Sequence, residues 1–196
     1  MFTIMKTKNF ERALVTGGVG FIGSHLVDAL ITREAKVSVF DNLTAGTLQN
    51  VKPWLNNPNF TFIKGDLLNP ADLTNIGKNS FETVFHLAAN PEVGVGSTNP
   101  NIHFQQNLVA TQNLLEHIRK SQSNPKIIFA STSTVYGEPA KIPTAEDYAP
   151  LKPISTYGAS KLACEALISA YAYTYDFKAV IIRLANMASS TTSPKN

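Results

Sequence analysis

Short apolar runs alternate along the chain with longer segments in which apolar residues recur at helical spacing. This alternation is typical of β-α-β units, in which a helix connects two parallel strands. The runs are continuous and apolar, as expected for strands that helices cover on both faces. They lie at about residues 12–17, 36–41, 60–66, 83–88, 126–131 and 179–184, with helices at about 21–33, 99–122 and 156–174 and short helices within 42–58 and from Pro70.

Because crossovers between parallel strands are right-handed, these units predict a doubly wound α/β parallel sheet, a Rossmann fold, with strand order 3-2-1-4-5-6. A chain of 196 residues is long enough for one domain of this kind. We expect residues 1–186 to form that domain and to carry the reactive side chains. Residues 187–196 are mostly small and polar and lack periodicity, which predicts a disordered tail.

Composition and charge narrow the class of partner. The net charge is +3 and the basic residues are dispersed, so no nucleic-acid partner is expected. No apolar stretch approaches the ~20 residues that span a bilayer, so no membrane partner is expected. The single cysteine, Cys164, fits a reducing compartment and predicts a cytoplasmic protein. No group of residues has the spacing of a metal site.

The turn after the first strand is rich in glycine. Gly17, Gly20 and Gly23 fit the spacing G-x-x-G-x-x-G, and Gly18 gives the alternative spacing G-x-G-x-x-G. Glycines at these places let the backbone turn and lie against a pyrophosphate, which the N-terminus of the following helix attracts. The loop therefore predicts a dinucleotide site. An ordinary glycine-rich turn without a ligand is the alternative interpretation.

Acidic residues end the second and third strands. Asp41 lies 18 residues after Gly23, where a carboxylate accepts hydrogen bonds from the adenosine ribose and repels a 2′-phosphate. This favours NAD over NADP, with an acid that caps a turn as the alternative. Asp66 is placed near the adenine, near the cap of the next helix, or in both roles. The small residues 87–89, after the fourth strand, would line the same crevice.

The candidate chemistry lies near the end of the fifth strand. Tyr157 and Lys161 are four residues apart and share one face of a predicted helix. A nearby ammonium group favours the phenolate, so we expect a lowered pKa and a general base, although such pairs also occur by chance on surfaces. Hydroxyls at 131–134 would bind a substrate hydroxyl or form an ordinary turn. His86 and Cys164 are interpreted as packing residues.

Several motifs follow one another along the chain and together carry a resemblance. They are Thr16-Gly-Gly-Val-Gly-Phe-Ile-Gly-Ser-His25, Phe40-Asp-Asn-Leu43, Gly65-Asp66, His86-Leu-Ala-Ala89, Thr134-Val-Tyr-Gly137 and Tyr157-x-x-x-Lys161. Over about residues 11–186 the chain resembles the extended short-chain dehydrogenase/reductases, the NAD-dependent epimerase/dehydratase family. The likeness implies NAD as cofactor and epimerisation of a UDP-sugar, UDP-glucose or UDP-galactose, at C4 through a 4-keto intermediate.

The same resemblance implies roles for individual residues. Tyr157 would be the catalytic base, Lys161 would hold the nicotinamide ribose, and Thr132 would occupy the catalytic Ser/Thr position. The predicted cofactor-binding residues are Gly17, Gly20, Phe21, Ile22, Gly23, Asp41, Asn42, Asp66, Leu67, Leu87, Ala88, Ala89, Asn107, Tyr157 and Lys161. The predicted substrate-binding residues are Ser131, Thr132 and Asn186.

Two places in the sequence differ from those of some family members. Dehydratases of the family carry an acid directly after the catalytic threonine, whereas Ser133 and Thr134 follow Thr132 here, which favours an epimerase. Gly94 stands where relatives often have a basic residue, which weakens a phosphate or substrate contact at that place.

The end of the chain affects the predicted activity and partners. Relatives continue after Asn186 with a seventh strand and a C-terminal substrate domain, so we expect a truncated chain that lacks this domain. An NAD-binding module without turnover and another nucleotide-sugar epimerase are the alternatives. Relatives form dimers through a four-helix bundle, so a homodimer through the helices at 99–122 and 156–174 is also expected.

Overall fold

A computed structural model describes residues 11–77, 81–121 and 124–186, and the predicted tail at 187–196 lies outside them. Six parallel strands form one sheet in the order β3-β2-β1-β4-β5-β6. This confirms the predicted doubly wound topology and its strand order. The strands are β1 Arg12–Thr16, β2 Lys36–Asp41, β3 Phe60–Lys64, β4 Thr83–His86, β5 Lys126–Thr132 and β6 Ala179–Leu184.

Helices cover the two faces of this sheet. The α-helices are α1 Phe21–Thr32, α2 Pro70–Leu73, α3 Asn101–His103, α4 Ala110–Lys120 and α5 Thr156–Tyr175, and a 3-10 helix spans Leu48–Trp54. One apolar core packs α1 against β1 and β2, and the other packs α4 and α5 against the opposite face. Among the described residues, no helix has the length and apolar character needed to cross a bilayer.

The helix predicted at 99–122 is interrupted. Between α3 and α4 the backbone forms a π-helix, Phe104–Val109, which adds a residue to the turn. Asn107 lies in this turn, 2% exposed, and its amide nitrogen donates to Ser160 Oγ at 2.9 Å. Its amide oxygen accepts from the Asn90 backbone at 2.7 Å. The wider turn thus presents Asn107 to partners that are distant in sequence.

His86 is buried inside the sheet, which agrees with its interpretation as a core histidine. The ring is 1% exposed, and both of its nitrogens have partners. Nε2 lies 2.9 Å from the Thr111 hydroxyl, which itself donates to the Asn107 carbonyl at 2.6 Å. Nε2 therefore carries the proton, and Nδ1 accepts from the Thr16 hydroxyl at 2.7 Å. This neutral form satisfies every polar atom of the ring.

The buried His86 makes stability dependent on pH. Burial, with the positive charge of Lys161, lowers the pKa of His86 from 6.5 to about 3. Between pH 6.5 and about 3 the unfolded chain therefore binds a proton that the folded chain does not bind. The free energy of unfolding falls as the pH drops through this range. At pH 4 this costs the wild type about 3 kcal/mol. We expect the acid-induced loss of unfolding free energy to be smaller by that amount in His86→Gln, measured by urea unfolding at pH 7 and pH 4. An equal loss in both proteins would contradict the assignment.

Candidate functional site

A cavity of about 510 Å³ opens at the carboxyl ends of the strands, where ligands bind in sheets of this topology. Residues from all six strand ends or the loops after them reach it. The lining comprises Gly17, Gly20, Phe21, Ile22, Gly23, Phe40, Asp41, Asn42, Thr44, Ala45, Gly46, Gly65, Asp66, Leu67, Leu68, Leu87, Ala88, Ala89, Pro91, Gln106, Ala110, Ala130, Ser131, Thr132, Tyr157, Lys161, Leu184 and Ala185. Most of the predicted site residues are therefore brought together in one cavity.

The glycine loop forms one end of the cavity, and it has no space for a side chain at Gly17 or Gly23. Gly17 has a φ of +71°, and a Cβ there would lie 2.7 Å from the backbone nitrogen of Ala88. A Cβ on Gly23 would collide with the carbonyl oxygen of Gly17. Gly20 is the N-cap of α1 and supplies no capping side chain. The first turn of α1 therefore presents backbone N–H groups to the cavity, and this cradle fits a pyrophosphate.

Asp41 connects the glycine loop to the loop after β2. Its Oδ1 accepts from the Leu43 backbone at 2.9 Å, and its Oδ2 accepts from the Val19 backbone at 3.3 Å. Burial raises the pKa of Asp41, and these two backbone hydrogen bonds oppose that change. Among the described lining residues, Lys161 is the only basic one, and it comes from α5 rather than from the loop beside Asp41. The surroundings of Asp41 therefore suit a ribose with free hydroxyls better than a 2′-phosphate.

Asp66 lies beside Asn42 at the same end of the cavity. Its Oδ2 accepts from Asn42 Nδ2 at 3.1 Å, and its Oδ1 accepts from the Leu68 backbone at 2.8 Å. The cap of α2 is supplied by Asn69, whose side chain accepts from the Ala71 backbone at 3.1 Å. Asp66 therefore orders the loop that borders the cavity, and the alternative of a helix cap at Asp66 is wrong.

The opposite end of the cavity holds the candidate reactive groups. Ser155 caps α5 by accepting from the Gly158 backbone at 3.0 Å, which fixes the start of the helix just before Tyr157. The Thr132 side chain lies close enough to Tyr157 to affect its pKa. The Thr132 hydroxyl oxygen accepts from the Thr134 backbone at 3.2 Å. Thr132, Tyr157 and Lys161 all line this end of the cavity.

The pKa of Tyr157 changes in the opposite direction to the one expected from the sequence. Burial raises the pKa of Tyr157, and the Thr132 hydrogen bond opposes that rise. A pKa lowered by Lys161 was expected, but the Lys161 ammonium lies 4.3 Å from the centre of the Phe129 ring. Burial lowers the pKa of Lys161 to about 8. The expectation was wrong because helical spacing fixes the Cα positions and not where a long side chain ends.

Three of the predicted site residues either do not line the cavity or have their polar groups bonded to other residues. Asn107 is buried behind the cavity, and its amide is used by Asn90 and Ser160. Asn186 is exposed and is not among the lining residues. Ser131 borders the cavity but donates its hydroxyl proton to Glu165 Oε1. The Ser131 hydroxyl proton is therefore committed to Glu165, whereas the neighbouring Thr132 lines the cavity and lowers the pKa of Tyr157.

Sequence reasoning missed several lining residues. Thr44, Ala45 and Gly46 come from the polar stretch after β2, where Gly46 packs so closely that a Cβ would lie 2.6 Å from the Val19 carbonyl oxygen. The glycine was a usable signal. Leu184 is the last residue of β6 and Ala185 follows it, and the predicted strand order already placed that strand end at the same edge. No group of three His, Cys, Asp or Glu side chains within the described ranges is placed to bind a metal.

Several known proteins that are similar in sequence and fold are UDP-sugar 4-epimerases. The family model described as GDP-mannose 4,6 dehydratase matches residues 14–195. A UDP-glucose 4-epimerase of Mycolicibacterium smegmatis is 36% identical, over 93% of this chain and 58% of its own length. The structure of UDP-glucose 4-epimerase from Brucella ovis in complex with NAD is 33% identical with a TM-score of 0.82, over 90% of this chain and 52% of that one.

A further solved structure extends the range of sugars bound by such proteins. It is the UDP-N-acetylglucosamine 4-epimerase from Methanobrevibacter ruminantium in complex with UDP-N-acetylmuramic acid, with 38% identity and a TM-score of 0.79 over 90% of this chain and 55% of that one. The chain spans about half the length of the curated relatives it matches. Because the family model covers nearly the whole sequence, the chain belongs to the NAD-dependent epimerase/dehydratase family.

Proposed function

We propose that the chain binds NAD in the cavity and carries the catalytic residues of a nucleotide-sugar 4-epimerase, acting on UDP-glucose and UDP-galactose. The observation that carries this proposal is that Thr132, Tyr157 and Lys161 all line the cavity that begins at the glycine loop. The NAD-binding domain in this proposal extends over 1–186. The loop 17–23 would hold the pyrophosphate, Asp41 the adenosine ribose, and the cavity around Asp66 the adenine.

The reactive end suits removal of a proton from a sugar hydroxyl. When bound, NAD accepts a hydride from C4 of the sugar and later returns it to the other face. Tyr157 takes the proton of the 4-hydroxyl as the C4 hydride leaves, and it returns a proton when the keto group is reduced. Thr132 orients the hydroxyl, and Lys161 holds a positive charge beside the nicotinamide ribose. No proton donor beyond these groups is needed, since each half-reaction reverses the other.

The turn after Thr132 favours epimerisation over dehydration. Elimination of water from the 4-keto sugar needs an acid near C5 and C6, and family dehydratases place it directly after the threonine. Here Ser133 and Thr134 occupy those positions, and Glu138 is exposed and is not among the lining residues. The description of the matching family model names a dehydratase, but the residues of this turn support an epimerase.

Conversion of UDP-galactose to UDP-glucose tests the proposed activity. The 196-residue chain is incubated with NAD and UDP-galactose, and the anomeric proton of UDP-glucose is followed by NMR. We expect product to form. No product from a chain that still binds NADH would replace the epimerase with the alternative, an NAD-binding module without turnover. Product only from UDP-N-acetylgalactosamine would assign another nucleotide-sugar epimerase of the family.

The exposed face of α5 supports a homodimer. Ala159, Ala166, Ala170 and Tyr173 follow the periodicity of one helix face, and Tyr173 is 94% exposed. The π-helix packs beside α5 and presents Phe104, which is 51% exposed. We propose that two copies of the chain pair through this face and form a four-helix bundle. Small side chains allow close approach of helices, and the aromatic groups supply apolar area.

A charged side chain in the middle of this face tests the dimer. Ala166→Arg would place a guanidinium group in the helix contact without a partner, which is strongly unfavourable in a buried interface. We expect sedimentation equilibrium to give a dimer for the wild type and a monomer for this variant. Thr32→Arg serves as a control with the same added charge at an exposed position of α1, on the other face of the sheet. A wild-type monomer at high micromolar concentration would contradict the proposal.

We also propose a cytoplasmic location. Cys164, the one cysteine of the sequence, is a buried free thiol, which agrees with a reducing compartment.

A further inference from the structure

A buried ion pair lies behind the reactive end of the cavity. Arg183 Nη2 donates to Glu165 Oε2 at 2.8 Å, and Arg183 Nε donates to Glu165 Oε1 at 3.1 Å. The Glu165 side chain is 7% exposed and that of Arg183 is 23% exposed. Neither residue is among those that line the cavity. The pair therefore acts on the site only through the groups that it holds.

The ion pair holds every segment that supplies a reactive group. Glu165 lies one helical turn after Lys161 on α5, and it accepts the hydroxyl proton of Ser131, the residue before Thr132. Ser131 and Arg183 are direct partners in the register of β5 and β6. The same carboxylate thus connects α5 to the ends of both strands.

The guanidinium group extends these connections to the loop before α5. Arg183 Nη1 donates to the Glu146 carbonyl at 3.1 Å. The group also lies 4.8 Å from the centre of the Tyr136 ring, in the turn that follows β5. Tyr136 in turn packs edge-on against Tyr148 of the same loop. The two charged side chains therefore contact β5, β6, the turn 133–136, the loop 137–155 and α5.

We propose that Glu165 and Arg183 form a positioning pair, which holds the end of β5 and the loop 137–155 against α5 at the spacing that Thr132, Tyr157 and Lys161 require. The effect of the pair on the cofactor site rests on the proposed function. The positioning itself does not, because it is a property of the folded chain. Neither residue touches the cofactor or substrate in this account. Their effect is on geometry, where displacement by about 1 Å can cost a hundredfold in rate.

The pair also sets the charge around Lys161. The groups that face its ammonium are Cys164 and Glu165 on α5, His86 on β4, and the Phe129 ring on β5. Burial lowers the pKa of Lys161, and the negative charge of Glu165 opposes this. Loss of that charge would therefore lower the pH at which Lys161 loses its proton.

The test uses Glu165→Gln, which keeps an acceptor for Ser131 and removes the charge, and the double variant Glu165→Gln with Arg183→Met. The double variant removes both charges, so no buried charge is left without a partner. It therefore still tests the proposal if the single variant Glu165→Gln unfolds. The matched control is Glu116→Gln, since Glu116 makes a bidentate pair with Arg119 on α4, away from the cavity. Amide hydrogen exchange and NADH affinity against pH are measured for all four proteins.

We expect the backbone amides of residues 131–149 to exchange about tenfold faster in the two variants of the positioning pair than in the wild type and the Glu116→Gln control. We also expect the pH at which NADH affinity falls to be lower in Glu165→Gln than in the control. Exchange in 131–149 that matches the control would overturn the positioning role, whether or not NADH binds. Failure of the wild type to bind NADH would contradict the proposed function alone, because the exchange result stands independently of the cofactor.

Discussion

Tyr157→Phe is expected to abolish epimerisation and to leave NADH binding nearly unchanged. The phenol oxygen is the only atom removed, and with it the group that takes the sugar proton. General base catalysis contributes about 10²–10⁴ to a rate, so turnover of UDP-galactose should fall by that factor. The loss of one hydrogen bond should weaken NADH by less than about tenfold. Turnover is measured by NMR and binding by NADH fluorescence.

The control for this variant is Tyr173→Phe, which removes the same atom from a side chain that is 94% exposed on the same helix. It should retain full turnover. Wild-type turnover in Tyr157→Phe would show that another group removes the proton. Loss of NADH binding together with turnover would instead mean that Tyr157 holds the cofactor and leave its role as a base unsupported.

Gly23→Ala is expected to destabilise the fold and to prevent cofactor binding. The added Cβ would meet the Gly17 carbonyl and lie 2.7 Å from Gly18 Cα, so the loop or α1 must move. Overpacking of this kind costs about 1–3 kcal/mol, and the melting temperature should fall by roughly 2–4 °C for each kcal/mol. A displaced loop also loses its contact with the pyrophosphate. Calorimetric melting and NADH titration measure the two effects.

Gly94→Ala is the matched control, since nothing lies within 4 Å of a Cβ at that position. Its melting temperature and NADH affinity should equal those of the wild type. If Gly23→Ala also behaved as the wild type, the close packing of helix and loop would be unnecessary for the site. Gly20→Ala separates the two effects, because its Cβ would lie 3.3 Å from its nearest neighbour, the Gly17 carbonyl oxygen. That variant should fold, but it should bind NADH more weakly than the wild type does.

The fold is local in origin, and so is the placement of the glycine loop and the two acids at one edge of the sheet, so the sequence predicted both. Each strand is a continuous apolar run, and β2, for example, was predicted with its observed bounds, Lys36–Asp41. The glycine spacing is a property of one turn, and the strand order then brings Asp41 and Asp66 to the same edge. Helix boundaries also follow local caps, such as Ser155 before α5.

The rest of the site depends on contacts between residues that are distant in sequence. The π-helix at Phe104–Val109 accompanies hydrogen bonds from Asn107 to Asn90 and Ser160, and periodicity cannot predict such a turn. The direction of the Tyr157 pKa depends on where the Lys161 ammonium lies. Likewise, the two neighbouring hydroxyls at the end of β5 are distinguished by Glu165, which accepts from Ser131, whereas Thr132 acts on the pKa of Tyr157.

Binding of NADH by the 196-residue chain tests the central claim most directly. Isothermal titration calorimetry measures stoichiometry and affinity, with NADPH as the comparison. We expect one NADH per chain and weaker binding of NADPH, because Asp41 would repel the 2′-phosphate. Absence of saturable NADH binding by a folded chain would contradict the assignment of the cavity as the cofactor site.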